Sequence, residues 1–259
     1  MEPIITTPDS VTSDTVLGGK VRLIQPQRGH RAGHDAVLLA AAVPALAGDR
    51  VLDLGCGVGT AAFCLAARVA VGFLTLVEID PDLAALAERN AAANGLTHKT
   101  RVIVADARAR GAMRERAGLL LGQIDCVMTN PPFHDAPRHR GSPSVPKRLA
   151  HQAEEGLLAA FLRTAVAVLR PGGTLTMIHR ADQPEALLAA MAGRFGGVTL
   201  RPVHSKPDMA AGRLLVTGIK GSRAPVGILR GLVLADRDGR PTAEAEAVLR
   251  GGEGLAAAG

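Results

Sequence analysis

VLDLGCGVGT, residues 51–60, runs from an apolar strand-like segment through three glycines into a stretch with helical spacing. Without a Cβ, Gly55 and Gly57 let the backbone turn tightly and come close to a bound molecule. A dinucleotide-binding loop of the form G-x-G-x-x-G would put its third glycine at position 60, where this chain has Thr60. Asp53, at the strand end, would crowd a pyrophosphate but suits a ligand that carries an ammonium group.

Outward from this loop, apolar runs alternate with helical patterns. RVLDL (50–54), GFLTLVEI (72–79), RVIVA (101–105), QIDCVMT (123–129) and GTLTMIH (173–179) read as strands. Pro81 opens a helix that Gly95 stops, and residues 154–169 carry Leu157, Leu158, Phe161, Leu162, Ala165 and Leu169 on one face. GVTLRPVH and GRLLVTGIK supply two closing strands. This alternation predicts an α/β fold, a mostly parallel sheet with helices on both faces. A single domain is expected over 1–259, with a flexible amino-terminal arm (1–20), a core (21–220) and a short carboxy-terminal extension (221–259). The residues before Arg50 read as polar and loop-like, the extension as a strand, a turn and a small helix, and the last nine residues as frayed.

Two acids repeat the position of Asp53 at the next strand ends. Glu78 lies 19 residues after Gly59, where an acid can accept from both hydroxyls of a ribose. Asp106, in VADA, can accept from an adenine amino group. Singly, a surface Glu and a helix-capping Asp explain them as well; in order at three successive strand ends they are far more specific.

A second stretch, TNPPFHDA (129–136), leaves its strand through Asn130, Pro131, Pro132 and Phe133. Proline fixes its own φ and holds the preceding residue extended, so this loop is stiff by construction. The chain is basic, with a net charge of +6 and a pI near 9.9, which favours a polyanionic partner. Between His134 and His151 the only acid is Asp135, against Arg138, Arg140, Lys147 and Arg148. With Arg31, these four are the candidate phosphate contacts.

No secretory signal or membrane span is visible, and Cys56, Cys64 and Cys126 lack CxxC spacing, so a cytoplasmic protein with buried thiols is expected. His30 and His34 are four apart, but Gly33 spoils a helix between them and no third ligand is apparent, so no metal is expected. Nothing in the sequence signals an oligomeric state.

The ordered set of glycines and acids resembles the class I S-adenosylmethionine-dependent methyltransferases, over about residues 25–220. The resemblance implies S-adenosyl-L-methionine as cofactor, with Asp53, Gly55 and Gly57 around its methionine part, Glu78 on its ribose, and Asp106 with Ala107 beside its adenine. It also implies a seven-stranded, Rossmann-like sheet whose last strand is antiparallel. With strand order 3-2-1-4-5, the first and fourth strands are neighbours, so Asp53 and Asn130, 77 residues apart, meet over one pocket. There the Asn130 side-chain oxygen and the Pro131 carbonyl can accept both N–H bonds of one NH₂ group, while Phe133 stacks on a flat acceptor. A hydroxyl acceptor would need a base, and none is evident.

The (D/N/S)PP(Y/F/W) group includes enzymes acting on adenine, guanine, cytosine and the glutamine of release factors. The glutamine enzymes carry a separate amino-terminal helical domain, which the residues before Arg50 do not resemble. QPQRGHRAGHDAVLLAA and the stretch from KGSRAP to AVLRG resemble the methyltransferases that modify adenine beside the anticodon of valine transfer RNA. His34 departs from them, standing where many relatives carry a small residue. The expected function is N6-methylation of adenine in RNA, specifically transfer RNA. The alternatives are a protein-glutamine N-methyltransferase and a non-catalytic RNA-binding module of the same fold.

Overall fold

The computed structural model describes residues 11–28, 33–132 and 147–255, with side chains of the segment after 146 described from residue 156 onward. In chain order the elements are β1 (Val11–Val16), β2 (Val21–Pro26), α1 (His34–Ala42), β3 (Arg50–Leu54), α2 (Thr60–Arg68), β4 (Phe73–Glu78), α3 (Pro81–Ala93), β5 (Thr100–Val104), α4 (Ala112–Arg116) and β6 (Ile124–Thr129). There follow α5 (Lys147–Val168), β7 (Leu169–Arg180), α6 (Pro184–Met191), β8 (Phe195–His204), β9 (Arg213–Lys220), β10 (Gly227–Ile228), β11 (Leu232–Val233) and α7 (Ala243–Glu246), the last running into a wider helical turn over Ala247–Gly251.

The main sheet has the order β10-β8-β9-β7-β6-β3-β4-β5, with β11 also on β8. From β5 to β7 neighbouring strands are parallel, and β9 is antiparallel to both β7 and β8. The expected seven strands with their antiparallel member are therefore present, extended by two strands of two residues each. Alternation along β3 sends Val51 to one face and Leu52 and Leu54 to the other. The first face packs against α1, α2 and β2 through Leu38, Leu39, Phe63, Leu65 and Leu23. The second packs against α5 and α6 through Leu158, Leu162 and Leu187. With both faces covered, the inner strands are buried almost throughout, which is why they read as continuous apolar runs.

Local chemistry sets the element ends. The Asp80 carboxylate accepts from the Asp82 and Leu83 amides at 2.8 and 3.3 Å, Pro81 opens α3, and Gly95 at φ +70° closes it. Cys56, Cys64 and Cys126 are buried free thiols. Among the described residues no helix is long and apolar enough to cross a membrane.

The structure corrects the expected outline before Arg50. Residues 11–26 form an antiparallel hairpin, not an arm running to residue 20, and 34–42 form a helix where a loop was expected. Along β2, Val21, Leu23 and Gln25 point inward. Its outer edge is closed by side chains: Asn90 binds the Ile24 amide and carbonyl at 2.6 and 2.9 Å, and Asn94 binds those of Arg22 at 2.9 and 2.8 Å. Two asparagines one helical turn apart thus stand in for a neighbouring strand. α5 begins at Lys147, seven residues before the expected start at residue 154, and β7 starts at Leu169. The expected strand, turn and helix after residue 221 are present, but the chain end is held further than expected. The Leu255 amide donates to the Ala41 carbonyl at 2.8 Å.

Candidate active site

β3, β4, β5 and β6 end on one side of the sheet, around a cavity of about 730 Å³. Its walls bring together Asp53, Gly55, Gly57, Glu78, Asp106, Ala107, Asn130, Pro131 and Pro132, nine residues singled out in the sequence. Pairing of Asp53 with Met128 across β3 and β6 sets Asn130 two residues past that register. Arg31, Phe133, Arg138 and Arg140 lie outside the described residues. Lys147 and Arg148 stand in the first turn of α5, and their side chains lie outside the described ones.

The glycine loop is pinned to the adjacent strand, since the Gly55 and Cys56 amides both donate to the Val77 carbonyl, at 2.8 and 3.0 Å. Gly57 has φ +56°, and a Cβ there would meet no atom within 4 Å, so the loop offers bare backbone to open space. At Gly55 a Cβ would come within 3.2 Å of the Phe161 ring.

Glu78 does more than the sequence suggests. One carboxylate oxygen accepts from the Gly57 amide at 2.8 Å, the other from the Ile79 and Asp80 amides at 2.8 and 3.0 Å. These bonds hold the glycine loop in shape. A carboxylate has about four acceptor positions, so one remains for a ligand hydroxyl.

Asp53 is 3% exposed, and its Oδ2 has no hydrogen-bond partner. Burial pushes its pKa up to about 7; the Ala62 amide opposes this and the Glu78 charge adds to it. An acid held in this way gains from any cation brought beside it. Asp106, by contrast, is already engaged. It accepts from the Arg108 amide at 2.8 Å and pairs with the Arg108 guanidinium, which holds its carboxyl below the usual range.

Asn130 closes the set. Its Oδ1 is buried without a partner. The strand end that carries it is locked by the Thr129 hydroxyl, which donates to the Leu54 carbonyl at 2.7 Å. A pair of adjacent prolines follows, Pro131 buried and Pro132 exposed.

Several lining residues escaped the sequence reading. Phe161 had the look of one more core position on α5; it is buried and also walls the cavity beside Gly55. Asp35 and Arg213, 178 residues apart, form a half-buried ion pair at 3.0 Å on the rim, and His34 lines the cavity beside them. No local pattern signals such a pair.

Residues 32–203 match the family model described as methyltransferase small domain. The chain belongs to that family. This methyltransferase is 34% identical over 171 residues to a 4-amino-L-phenylalanine/4-methylamino-L-phenylalanine methyltransferase of Streptomyces pristinaespiralis, covering 63% of this chain and 55% of that one. It is 30% identical over 165 residues to a tRNA1(Val) (adenine(37)-N6)-methyltransferase of Tolumonas auensis, covering 63% of this chain and 65% of that one. A protein of the same name from Porphyromonas gingivalis is 31% identical over 192 residues, with 71% and 72% covered. The chain thus spans 55% and 65% of the length of the first two relatives. Among solved structures, a predicted O-methyltransferase from Agrobacterium tumefaciens superposes with a TM-score of 0.73 at 30% identity, over 86% of this chain and 99% of that one. M. jannaschii TYW2, at a TM-score of 0.54 and 14% identity over 81% and 85%, shares the fold. The methyltransferase is of class I, and its methyl donor is S-adenosyl-L-methionine.

Proposed function

We propose that this methyltransferase modifies an exocyclic amino nitrogen, N6 of adenine in transfer RNA, and works in the cytoplasm. The observation that carries the reading is the Asn130 amide oxygen, buried without a partner where the fourth parallel strand opens on the cavity. An aryl or amide NH₂ is a poor nucleophile because its lone pair is delocalised. Two acceptors, Asn130 Oδ1 and the Pro131 carbonyl, would draw its two N–H bonds out of the conjugated plane and turn the lone pair inward. Forming the new N–C bond would break the donor's S–CH₃ bond, leaving a neutral thioether, and the cationic nitrogen would then release one proton to solvent.

The residues present fit the donor. S-adenosyl-L-methionine supplies, when bound, an activated methyl group on a sulfonium. Asp53, with its orphaned buried oxygen, would hold the ammonium of the methionine part, and the open space over Gly57 admits that chain. The remaining acceptor position of Glu78 would take one ribose hydroxyl, with Asp106 and Ala107 flanking the adenine. Phe133 would stack on the acceptor base, and Arg31, Arg138, Arg140, Lys147 and Arg148 would follow its phosphates.

The acceptors named for several relatives support the nitrogen class. They include an aminophenylalanine, an adenine N6 and, at 33% identity over 170 residues, a release factor glutamine. All present an NH₂ attached to a flat, conjugated system. Incubation with methyl-labelled cofactor and either total RNA or total protein tests the reading, followed by digestion of the labelled product. Label in N6-methyladenosine of the transfer RNA fraction is expected. Label in release-factor glutamine, or in a ribose O-methyl group, would replace the adenine reading with that acceptor.

A further inference from the structure

The cavity crosses the sheet from β5 to β9, and its two sides differ in what lines them. Asp53, Glu78 and Asp106, at the ends of β3, β4 and β5, line the side that suits the donor. Beyond Asn130, toward β7 and β9, the wall includes Arg213 of β9 and Asp35 in the first turn of α1. Strand register fixes where Arg213 stands. Thr129, just before Asn130, pairs with Met177 of β7, and Arg213 pairs with Arg180, three residues further toward the cavity. β9 lies two strands from β6, about 10 Å across the sheet. A nucleotide spans that kind of distance between its base amino group and its phosphate. An acceptor whose NH₂ group meets Asn130 Oδ1 therefore has its far end beside the Asp35–Arg213 pair.

The pair is oriented before any ligand arrives. Arg213 donates from Nε to Asp35 Oδ2 at 3.0 Å and from Nη1 to the Gly212 carbonyl at 3.1 Å. Alternation along β9 puts Arg213 on the same face as Leu215, the face that α1 covers. The two side chains nevertheless keep 30% and 28% of their surface, so the pair is reachable from the cavity and not sealed under α1. A carboxylate has about four acceptor positions, and Asp35 spends one oxygen on Arg213. A lone phosphate would suit this place poorly, because the Asp35 charge repels it. A hydroxyl next to a phosphate suits it well: the carboxylate accepts from the hydroxyl while the guanidinium donates to the phosphate oxygens.

We infer that the Asp35–Arg213 pair is a ribose–phosphate subsite for the target nucleotide, in which Asp35 accepts from the ribose 2′-hydroxyl and Arg213 donates to the phosphate. The inference rests on the RNA reading above and deepens it, since the hydroxyl that separates RNA from DNA is then read beside the reacting base. It also gives the ion pair a task besides tying α1 to β9.

The test uses the full chain and a transfer RNA containing the adenosine that the labelling experiment identifies. The RNA is made in two forms, with a 2′-hydroxyl or a 2′-hydrogen at that nucleotide alone. For wild type, kcat/KM should fall about tenfold to a hundredfold on loss of the hydroxyl, the usual scale for one hydrogen bond to a charged group. Asp35→Ala should methylate the two RNAs alike, whereas a merely structural ion pair would leave the wild-type ratio in place. The ratio is taken within one variant, so a partial loss of folded enzyme cancels. Arg213→Gln should make the slope of log RNA affinity against log salt shallower by about 0.7–0.9, with cofactor binding by calorimetry as the control for the fold. The wild-type ratio in Asp35→Ala, the wild-type slope in Arg213→Gln, or no preference in wild type itself overturns the subsite and leaves the RNA reading intact. A wild-type protein that binds cofactor but methylates no RNA overturns both. Should Asp35→Ala fail to fold, the wild-type preference and the Arg213→Gln slope decide.

Discussion

At the scale of single residues, the cavity holds two buried oxygens that lack partners, Asn130 Oδ1 and Asp53 Oδ2, and each carries a prediction. Replacing Asn130 by Ala removes an acceptor that would act only on the reacting amino group. Methyl transfer should fall by about 10²–10³, the usual cost of losing one preorganised transition-state hydrogen bond. Cofactor affinity should stay close to wild type, and transfer at the wild-type rate would reduce Asn130 to part of a stiff turn. Asp53 speaks through pH. Its folded pKa is about 7 against an ordinary 3.8, so between those values the folded state binds more protons than the unfolded one. Its contribution is therefore fully favourable below about pH 4 and is lost as pH rises toward 7, by roughly 4 kcal/mol at 1.36 kcal/mol per unit. Asp53→Asn should match wild type at pH 4, exceed it in stability at pH 8 without cofactor, and bind cofactor more weakly. Denaturation at a series of pH values in both proteins would show it; parallel profiles would sink the assignment.

At the scale of elements, α3 links the amino-terminal hairpin to the glycine loop. Asn90, completely buried, donates to the Ile24 carbonyl at 2.9 Å and the Val58 carbonyl at 3.0 Å, and accepts from the Ile24 amide at 2.6 Å. Asn90→Ala leaves those backbone groups buried and unpaired, so a loss of about 2–3 kcal/mol is expected in denaturant titration. Cofactor affinity should fall with it, because Val58 belongs to the loop that lines the cavity. Asn94→Ala, at the exposed end of the same clamp, should cost much less. Equal effects from the two would deny the hairpin its link to the loop. This clamp was not legible in the sequence. β1 is a run of Thr, Ser and Asp between valines, and its pairing depends on β2 and on asparagines more than sixty residues away. α3 itself was legible, because Asp80, Pro81 and Gly95 act on their own neighbours.

At the scale of the whole molecule, the site lies where the order of the sheet reverses around β3, and substrate approach is set by charge over a much wider surface. If Arg138, Arg140, Lys147 and Arg148 follow RNA phosphates, neutralising all four should make the salt dependence of RNA affinity shallower by about 0.7 per contact on single strands. Cofactor binding should remain. An unchanged slope, read by anisotropy of labelled RNA, would make that basic run a solvated surface only. What the sequence determined alone is whatever depends on neighbours along the chain. The glycine turn, the acids at Asp53, Glu78 and Asp106, the proline-stiffened exit after Asn130 and the strand–helix alternation follow from backbone sterics and hydrophobic period. Tertiary structure decided what depends on distant partners: the hairpin on α3, Phe161 against Gly55, and the Asp35–Arg213 pair. It also decided that Glu78 shapes the loop while Asp106 is held by Arg108. A residue type states which bonds a side chain can make; only the packed chain selects which of them it does make.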